Sequence, residues 1–235
     1  MKDQQIEYRF VFEDGSKFSY TLVLDGKTLS LKSEASSEPA LWTKLENHKC
    51  SVCPLSSDTH PHCPIAKNLH KVGEDFKNYM SIDQVRVIVK TEERTYFKRV
   101  DMQEGLFSIF GIIMSTSGCP IMGFLKPMAR FHLPFASVEE TIIRSTSFHL
   151  LRQYFAKQRG ESVAVDFEGL NEKYELVFGV NEGMSNRLKS IAEGDADRNA
   201  VVILSTFGQL IQMNLKDNLG DLAYLFVEHP ENTSD

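Results

Sequence analysis

The chain has 235 residues, 42% of them hydrophobic and 25% charged, which suits one large domain or two small ones and is too apolar for a disordered protein. Its net charge of −6, with basic clusters no longer than pairs such as Lys98-Arg99, offers no general attraction to nucleic-acid phosphate or anionic lipid, so neither nucleic acid nor membrane is expected as a partner. Met1 to Gln5 lack the apolar stretch of a secretory signal, and a cytoplasmic location is expected.

Ile6, Tyr8, Phe10 and Phe12 alternate with other residues, and Phe18, Tyr20, Leu22 and Leu24 do so again after an Asp14-Gly15 turn. With Asp25-Gly26 leading into Thr28 to Leu31, this predicts a three-stranded antiparallel meander. Ser33 to Pro39 reads as a polar connector, and Pro39 as the opening of a short helix carrying Leu41, Trp42 and Leu45. A cysteine-bearing loop runs from His48 to Cys63. From Pro64, the residues Ile65, Leu69, Val72, Phe76 and Tyr79 recur at spacings of four and three, the mark of an amphipathic helix. Val85, Val87 and Val89, a Glu92-Glu93 turn, and Tyr96, Lys98 and Val100 then make a second hairpin that extends the first sheet or stands beside it.

Beyond Gln103 the pattern is helical. Gly105 to Leu125 carries no charge and approaches the length of a membrane span, but Ser115-Thr-Ser-Gly-Cys-Pro120 is a helix stop followed by a helix start, which favours two short buried helices. Prolines 120, 127 and 134 cut the middle into short pieces. Ser137 with Glu140 forms a capping box for a long helix with Ile143, Thr146, Leu150 and Tyr154 on one face and Gly160 at its end. Helical patterns return over Leu170 to Ile191, where Gly179 and Gly183 suggest a break, and over Ala200 to Leu215. The expected fold is α+β. Residues 1–102 hold antiparallel strands, the cysteine loop and a helix, residues 103–227 form a helical region closing the cysteine site, and 228–235 form a polar, disordered tail, all within one integrated domain.

The chemistry in this sequence lies with its four cysteines. Cys53, Cys63 and Cys119 each precede a proline, and Cys50-x-x-Cys53 pairs the first of them with the fourth. A cysteine just before a helix-opening proline sits at an N-cap, where free N–H groups favour negative sulfur. Cys50, Cys53, Cys63 and Cys119 therefore read as a tetrathiolate metal site, joined by one distant ligand from the helical half. An iron–sulfur cluster is placed slightly ahead of zinc, because only one C-x2-C knuckle is present and cysteine followed by proline recurs in cluster loops. A metal-free alternative makes Cys50 and Cys53 a redox pair and Cys119 a nucleophile. His60 and His62, beside Cys63, are possible additional ligands.

Lys126 to Ala136 sets Arg130 and His132 inside an apolar, proline-bounded run, with Glu140 as a carboxylate partner for the arginine. His149 reads as a packing or hydrogen-bonding residue within its helix. Phosphate-loop, dinucleotide-binding, nucleophile-elbow and zinc-protease motifs are all missing from the chain.

Cys50-Ser-Val-Cys-Pro-Leu55, His62-Cys-Pro-Ile-Ala66, Ser117-Gly-Cys-Pro120 and Pro127-Met-Ala-Arg-Phe-His-Leu-Pro-Phe-Ala136 together resemble an uncharacterised bacterial family of about this length. The resemblance implies that the cysteines and the Arg130–His132 segment belong to one constellation, and it implies no activity. The leading expectation is a metal-binding protein, redox-sensing or regulatory. One alternative is an enzyme in which Arg130, His132 and Glu140 line a pocket for a small anionic substrate and the cysteines hold a structural zinc. The other is a zinc-stabilised interaction module. The partner is accordingly a protein or a small anionic ligand.

Overall fold

A computed structural model describes residues 1–32, 40–164, 166–217 and 219–226 of the chain. The expected connector from Ser33 to Pro39 and the tail from 228 lie outside the described residues. The architecture is α+β: a four-stranded antiparallel sheet followed by a mostly helical second half.

Strand β1 (Gln4–Val11) pairs with β2 (Lys17–Leu24), Tyr8 opposite Tyr20 and Phe10 opposite Phe18. β3 (Gln84–Lys90) pairs with β4 (Thr95–Asp101), and the two hairpins join through antiparallel β1 and β3, Phe10 facing Val87. The order is β2-β1-β3-β4, so the second hairpin extends the first. The expected third strand of the meander is reduced to an isolated bridge between Leu24 and Leu31. Asp25 explains this: its carboxylate accepts from the backbone of Lys27 and Thr28 at 3.0 and 2.8 Å, curling the chain into a turn. Leu31 N then donates to Thr116 O, serving a helix end rather than a strand.

The period-2 residues Ile6, Tyr8, Phe10, Val85, Val87 and Val89 point to one buried face of the sheet. Two helices cover it. Helix α1 (Pro64–Phe76) turns Ile65, Leu69, Val72 and Phe76 inward, and the Phe76 ring meets Phe10 and Phe18 edge-on at 4.9 and 5.1 Å. Helix α2 (Met102–Thr116) approaches the sheet at Gly105, where a β-carbon would stand 2.9 Å from Val87. α2 is apolar nearly all round because the sheet lies on one side of it and α6 (Ala196–Lys216) on the other. The uncharged stretch breaks at Gly118, whose φ of +90° reverses the chain into a short 3-10 turn over Met122–Leu125 and α3 (Lys126–Arg130). Among the described residues no helix is long and apolar enough to cross a membrane.

Helix α4 (Val138–Gln158) starts with the expected capping box: Glu140 N donates to Ser137 Oγ at 3.1 Å, and Ser137 N donates to the Glu140 carboxylate at 2.8 Å. Its inner face is rotated from the expected one. Ile142, Ser145, Thr146 and His149 are buried, whereas Tyr154 is 55% exposed. Polar residues take inward positions here because partners await them: Ser145 Oγ bonds Tyr174 Oη at 2.7 Å, and His149 Nε2 meets Asp166 O at 3.0 Å.

Helix α5 (Glu168–Lys189) runs unbroken through both glycines. These are sites of close packing: a β-carbon at Gly179 would lie 2.9 Å from Val52, and one at Gly183 would lie 2.5 Å from Cys50 Sγ. α5 packs on α6, and α6 also packs on α2 and α4, so the second half is a helical layer stacked on the helix-covered sheet.

Candidate functional site

The four cysteines are free thiols, yet the metal centre expected from them is not formed. Among the described residues no group of three or more His, Cys, Asp or Glu side chains converges as metal ligands would, which overturns both the iron–sulfur cluster and the zinc, along with the metal-binding function built on them. The zinc-supported alternatives fall with the site. Local geometry gives the reason. Cys50 is pressed against Gly183, with its thiol directed at Val180 O at 3.7 Å. Burial, with smaller contributions from the other three sulfurs that Arg187 opposes, pushes its pKa up to about 12. Cys119 takes hydrogen bonds from Met122 N and Ile121 N, but burial outweighs them and its pKa also rises. Cys63 is the N-cap of α1 without a side-chain cap bond. The sulfurs lie close enough to influence one another electrostatically, and those of Cys50 and Cys119 have different backbone partners.

The two histidines of this loop have structural partners. His60 Nδ1 lies 2.9 Å from Thr59 Oγ1, and His62 Nδ1 lies 2.7 Å from Thr43 Oγ1. The turn just before the loop, joined to it by Leu45 N donating to Pro61 O and Cys63 N donating to Thr43 O, is held by Arg187 of α5, whose guanidinium donates to the carbonyls of Trp42, Lys44 and Leu45 at 3.0, 2.7 and 2.6 Å. This region is a packed staple between the two halves of the chain.

An apolar cavity with a few convergent polar groups lies elsewhere. A cavity of about 130 Å³ opens between α2, α4, α5, α6 and the segment after α3. Its wall is mainly apolar, with Phe107, Ile112, Met128, Val177, Leu204 and Phe207 contributing. Tyr174 lines it as well, its hydroxyl held by Ser145 and its pKa raised to about 12 by burial. Asn181, a turn or two further along α5, contributes a buried amide whose nitrogen and oxygen have no partner among the described residues.

His132 and Arg144 stand on the wall that this cavity shares with an outer cleft of about 380 Å³, lined also by Gln4, Arg94, Tyr96 and Arg130. The Tyr8 hydroxyl links His132 Nε2 at 2.5 Å to Ser108 Oγ at 3.1 Å, tying the segment after α3 to β1 and α2. Burial, reinforced by the positive charge of Arg144, pushes the His132 pKa down to about 3, so the imidazole is neutral. Arg144 Nη2 donates to Met128 O and Phe131 O at 2.9 and 2.7 Å, which fixes the guanidinium at the mouth. No carboxylate lies within ion-pair distance of it among the described residues; Glu140, one turn earlier on α4, contributes only a distant Coulomb attraction.

Of the residues the sequence nominated here, His132 lines the cavity and Arg130 the outer cleft. Arg130 has no ion pair with Glu140; its guanidinium lies 5.8 Å from the centre of the Phe131 ring, and its carbonyl accepts from Gln4 Nε2 at 2.9 Å. Glu140 is exposed and committed to the helix cap. Arg144 and Asn181 escaped sequence reasoning. The available signal was positional: Asn181 sits between Gly179 and Gly183 on a helix face that has to be buried, and Arg144 follows the apolar pair Ile142-Ile143 on α4.

Residues 6–227 match the model of a family described as a domain of unknown function, DUF6901, and the chain belongs to that family. No curated protein and no solved structure matches the chain.

Proposed function

We propose that this DUF6901 protein binds a small, largely apolar organic anion, its apolar body in the interhelical cavity and its charged group against Arg144. The observation that carries the reading is the pairing of an apolar cavity with a guanidinium that is partly buried, fixed by two backbone carbonyls and without a carboxylate partner among the described residues. Burial without a counter-ion is costly for a guanidinium, and an incoming carboxylate offsets that cost with charge-assisted hydrogen bonds. Arg94 and Arg130 in the outer cleft, set against the one carboxylate of Glu93 there, leave net positive potential along the approach. Neutral His132, bonded to Tyr8, acts in this reading as a fixed wall and polar contact. The motif from Pro127 to Ala136 then forms the mouth of a binding site. A cytoplasmic location belongs to the same proposal, since a small organic acid is met there.

Cavities of roughly 150 Å³ admit a single benzene-sized ring, which sets the scale of the ligand. Titration calorimetry with benzoate tests the reading. Binding should weaken about tenfold or more in Arg144→Gln, with smaller losses in Arg130→Gln, and it should weaken with rising salt. Equal benzoate affinity in wild type and Arg144→Gln, or no binding at millimolar benzoate, would refute it.

A further inference from the structure

We infer that the ligand presents a paired hydrogen-bond donor and acceptor at its buried end, as a primary carboxamide or a lactam edge does, and that Asn181 reads it. This rests on the reading of the cavity as an organic-anion site and adds the chemistry of the opposite end.

Asn181 is 1% exposed, lies in the cavity wall, and leaves both its amide nitrogen and its amide oxygen unpaired among the described residues. Folded proteins pair nearly all such atoms, so an amide with neither atom satisfied marks a place that another molecule completes. Among the described residues nothing bonds it. Val177, Gly208 and Ile211 of the cavity lining offer no polar side chain, and the Tyr174 hydroxyl is already bonded to Ser145 at 2.7 Å, while Ser205, Gln209 and Gln212 border Asn181 across a second crevice of about 10 Å³. That crevice is the size of one water, so a water shared by Asn181 and Ser205 is the alternative the experiment has to exclude. A carboxamide or lactam edge matches Asn181 in one step, each amide donating to the other's oxygen.

The spacing fits a short ligand. Tyr174 and Asn181 are two turns apart on α5, about 10 Å along the axis. Arg144 adjoins Ser145, whose hydroxyl bonds Tyr174 at 2.7 Å, so it stands at the Tyr174 end. The anion and the amide-like edge therefore stand at opposite ends of a body one ring long, which defines the class as small ring acids bearing a carboxamide, or lactam acids.

The test compares benzoate with 4-carbamoylbenzoate by calorimetry on the full chain, with 4-acetylbenzoate as an acceptor-only control of similar bulk. The carboxamide should bind about tenfold or more tighter than benzoate, with the acetyl compound in between. Asn181→Leu should abolish that preference. The wild-type comparison needs no variant, so a poorly folding Asn181→Leu leaves the test intact. Equal affinity for benzoate and 4-carbamoylbenzoate, or a preference that survives in Asn181→Leu, would mean that Asn181 holds a trapped water only, and the inference falls while the anion site stands. If neither compound binds, both readings fall.

Discussion

Arg187 and Asn181 are carried by the same helix, are both 1% exposed, and are about 120° apart around its axis. On the side facing the cysteine loop, Arg187 reaches three carbonyls and closes the chain onto itself. On the side facing α2 and α6, Asn181 meets an apolar cavity and bonds nothing among the described residues. The same cost, that of taking a polar group out of water, is recovered inside the protein at both terminal nitrogens of Arg187, its Nε alone staying unpaired among the described residues, and is left open at both amide atoms of Asn181. A buried polar group that is satisfied indicates architecture, whereas one left open indicates where a second molecule is expected.

The contrast breaks most sharply at Arg187. Arg187→Met keeps an apolar stem but removes three charge-assisted hydrogen bonds and strands the Leu45 carbonyl, Asn47 still donating to Trp42 O and Lys44 O, which should cost about 3 kcal/mol and lower the urea midpoint accordingly. A midpoint within error of wild type would show that the loop over Trp42 to Leu45 does not depend on this side chain. Next in size is Gly183→Ala. Alanine would ordinarily favour a helix interior by up to about 1 kcal/mol, but here its methyl group meets Cys50 at Sγ and Cα, and the net change should be a loss of about 1–3 kcal/mol. Cys50→Ala in the same chain removes the sulfur and should recover part of that loss. A stabilised Gly183→Ala would mean that the close approach of loop and helix is absent in solution.

How far this contrast could be read from sequence depends on what each residue's environment requires of it. The alternating strands and the α1 stripe of Ile65, Leu69, Val72 and Phe76 were legible because burial of one face imposes a period, and the Ser137–Glu140 box because capping is local. The metal site was misread for a reason equally physical. Cysteines before prolines suit thiolate ligation in isolation, yet the direction of each sulfur is set by tertiary neighbours such as Gly183 and Val180, which lie more than a hundred residues from Cys50. Gly179 and Gly183 suggested a helix break because propensity is local, while their purpose, admitting Val52 and Cys50, is not. Arg144 and Asn181 carry no spacing signature, and only the packing of four helices shows that, among the described residues, one lacks a carboxylate and the other lacks any partner.

The cavity side yields a prediction of opposite sign. Asn181→Leu is close in shape and replaces two unpaired polar atoms with methyl groups, so the ligand-free protein should gain about 1 kcal/mol in urea unfolding. The same substitution is expected to remove the carboxamide preference, separating stability from recognition at one position. A destabilised Asn181→Leu would place satisfied hydrogen bonds on this amide in solution and move it into the class of Arg187.

The smallest effect is a dependence on pH. His132 has its pKa lowered from 6.5 to about 3 in the folded protein, chiefly by burial and further by Arg144. As pH falls below 6.5, the unfolded chain takes up a proton that the folded chain refuses, so stability is fully present above pH 6.5 and is lost progressively towards pH 3. From pH 6.5 to 5.5, before carboxylates titrate appreciably, the loss should be under about 1 kcal/mol. His149 is shifted in the same direction by burial, so the wild-type slope contains both residues, and the difference between wild type and His132→Gln isolates the first. Identical slopes in wild type and His132→Gln would show that this imidazole protonates freely, and therefore that the wall between cavity and cleft is open to water.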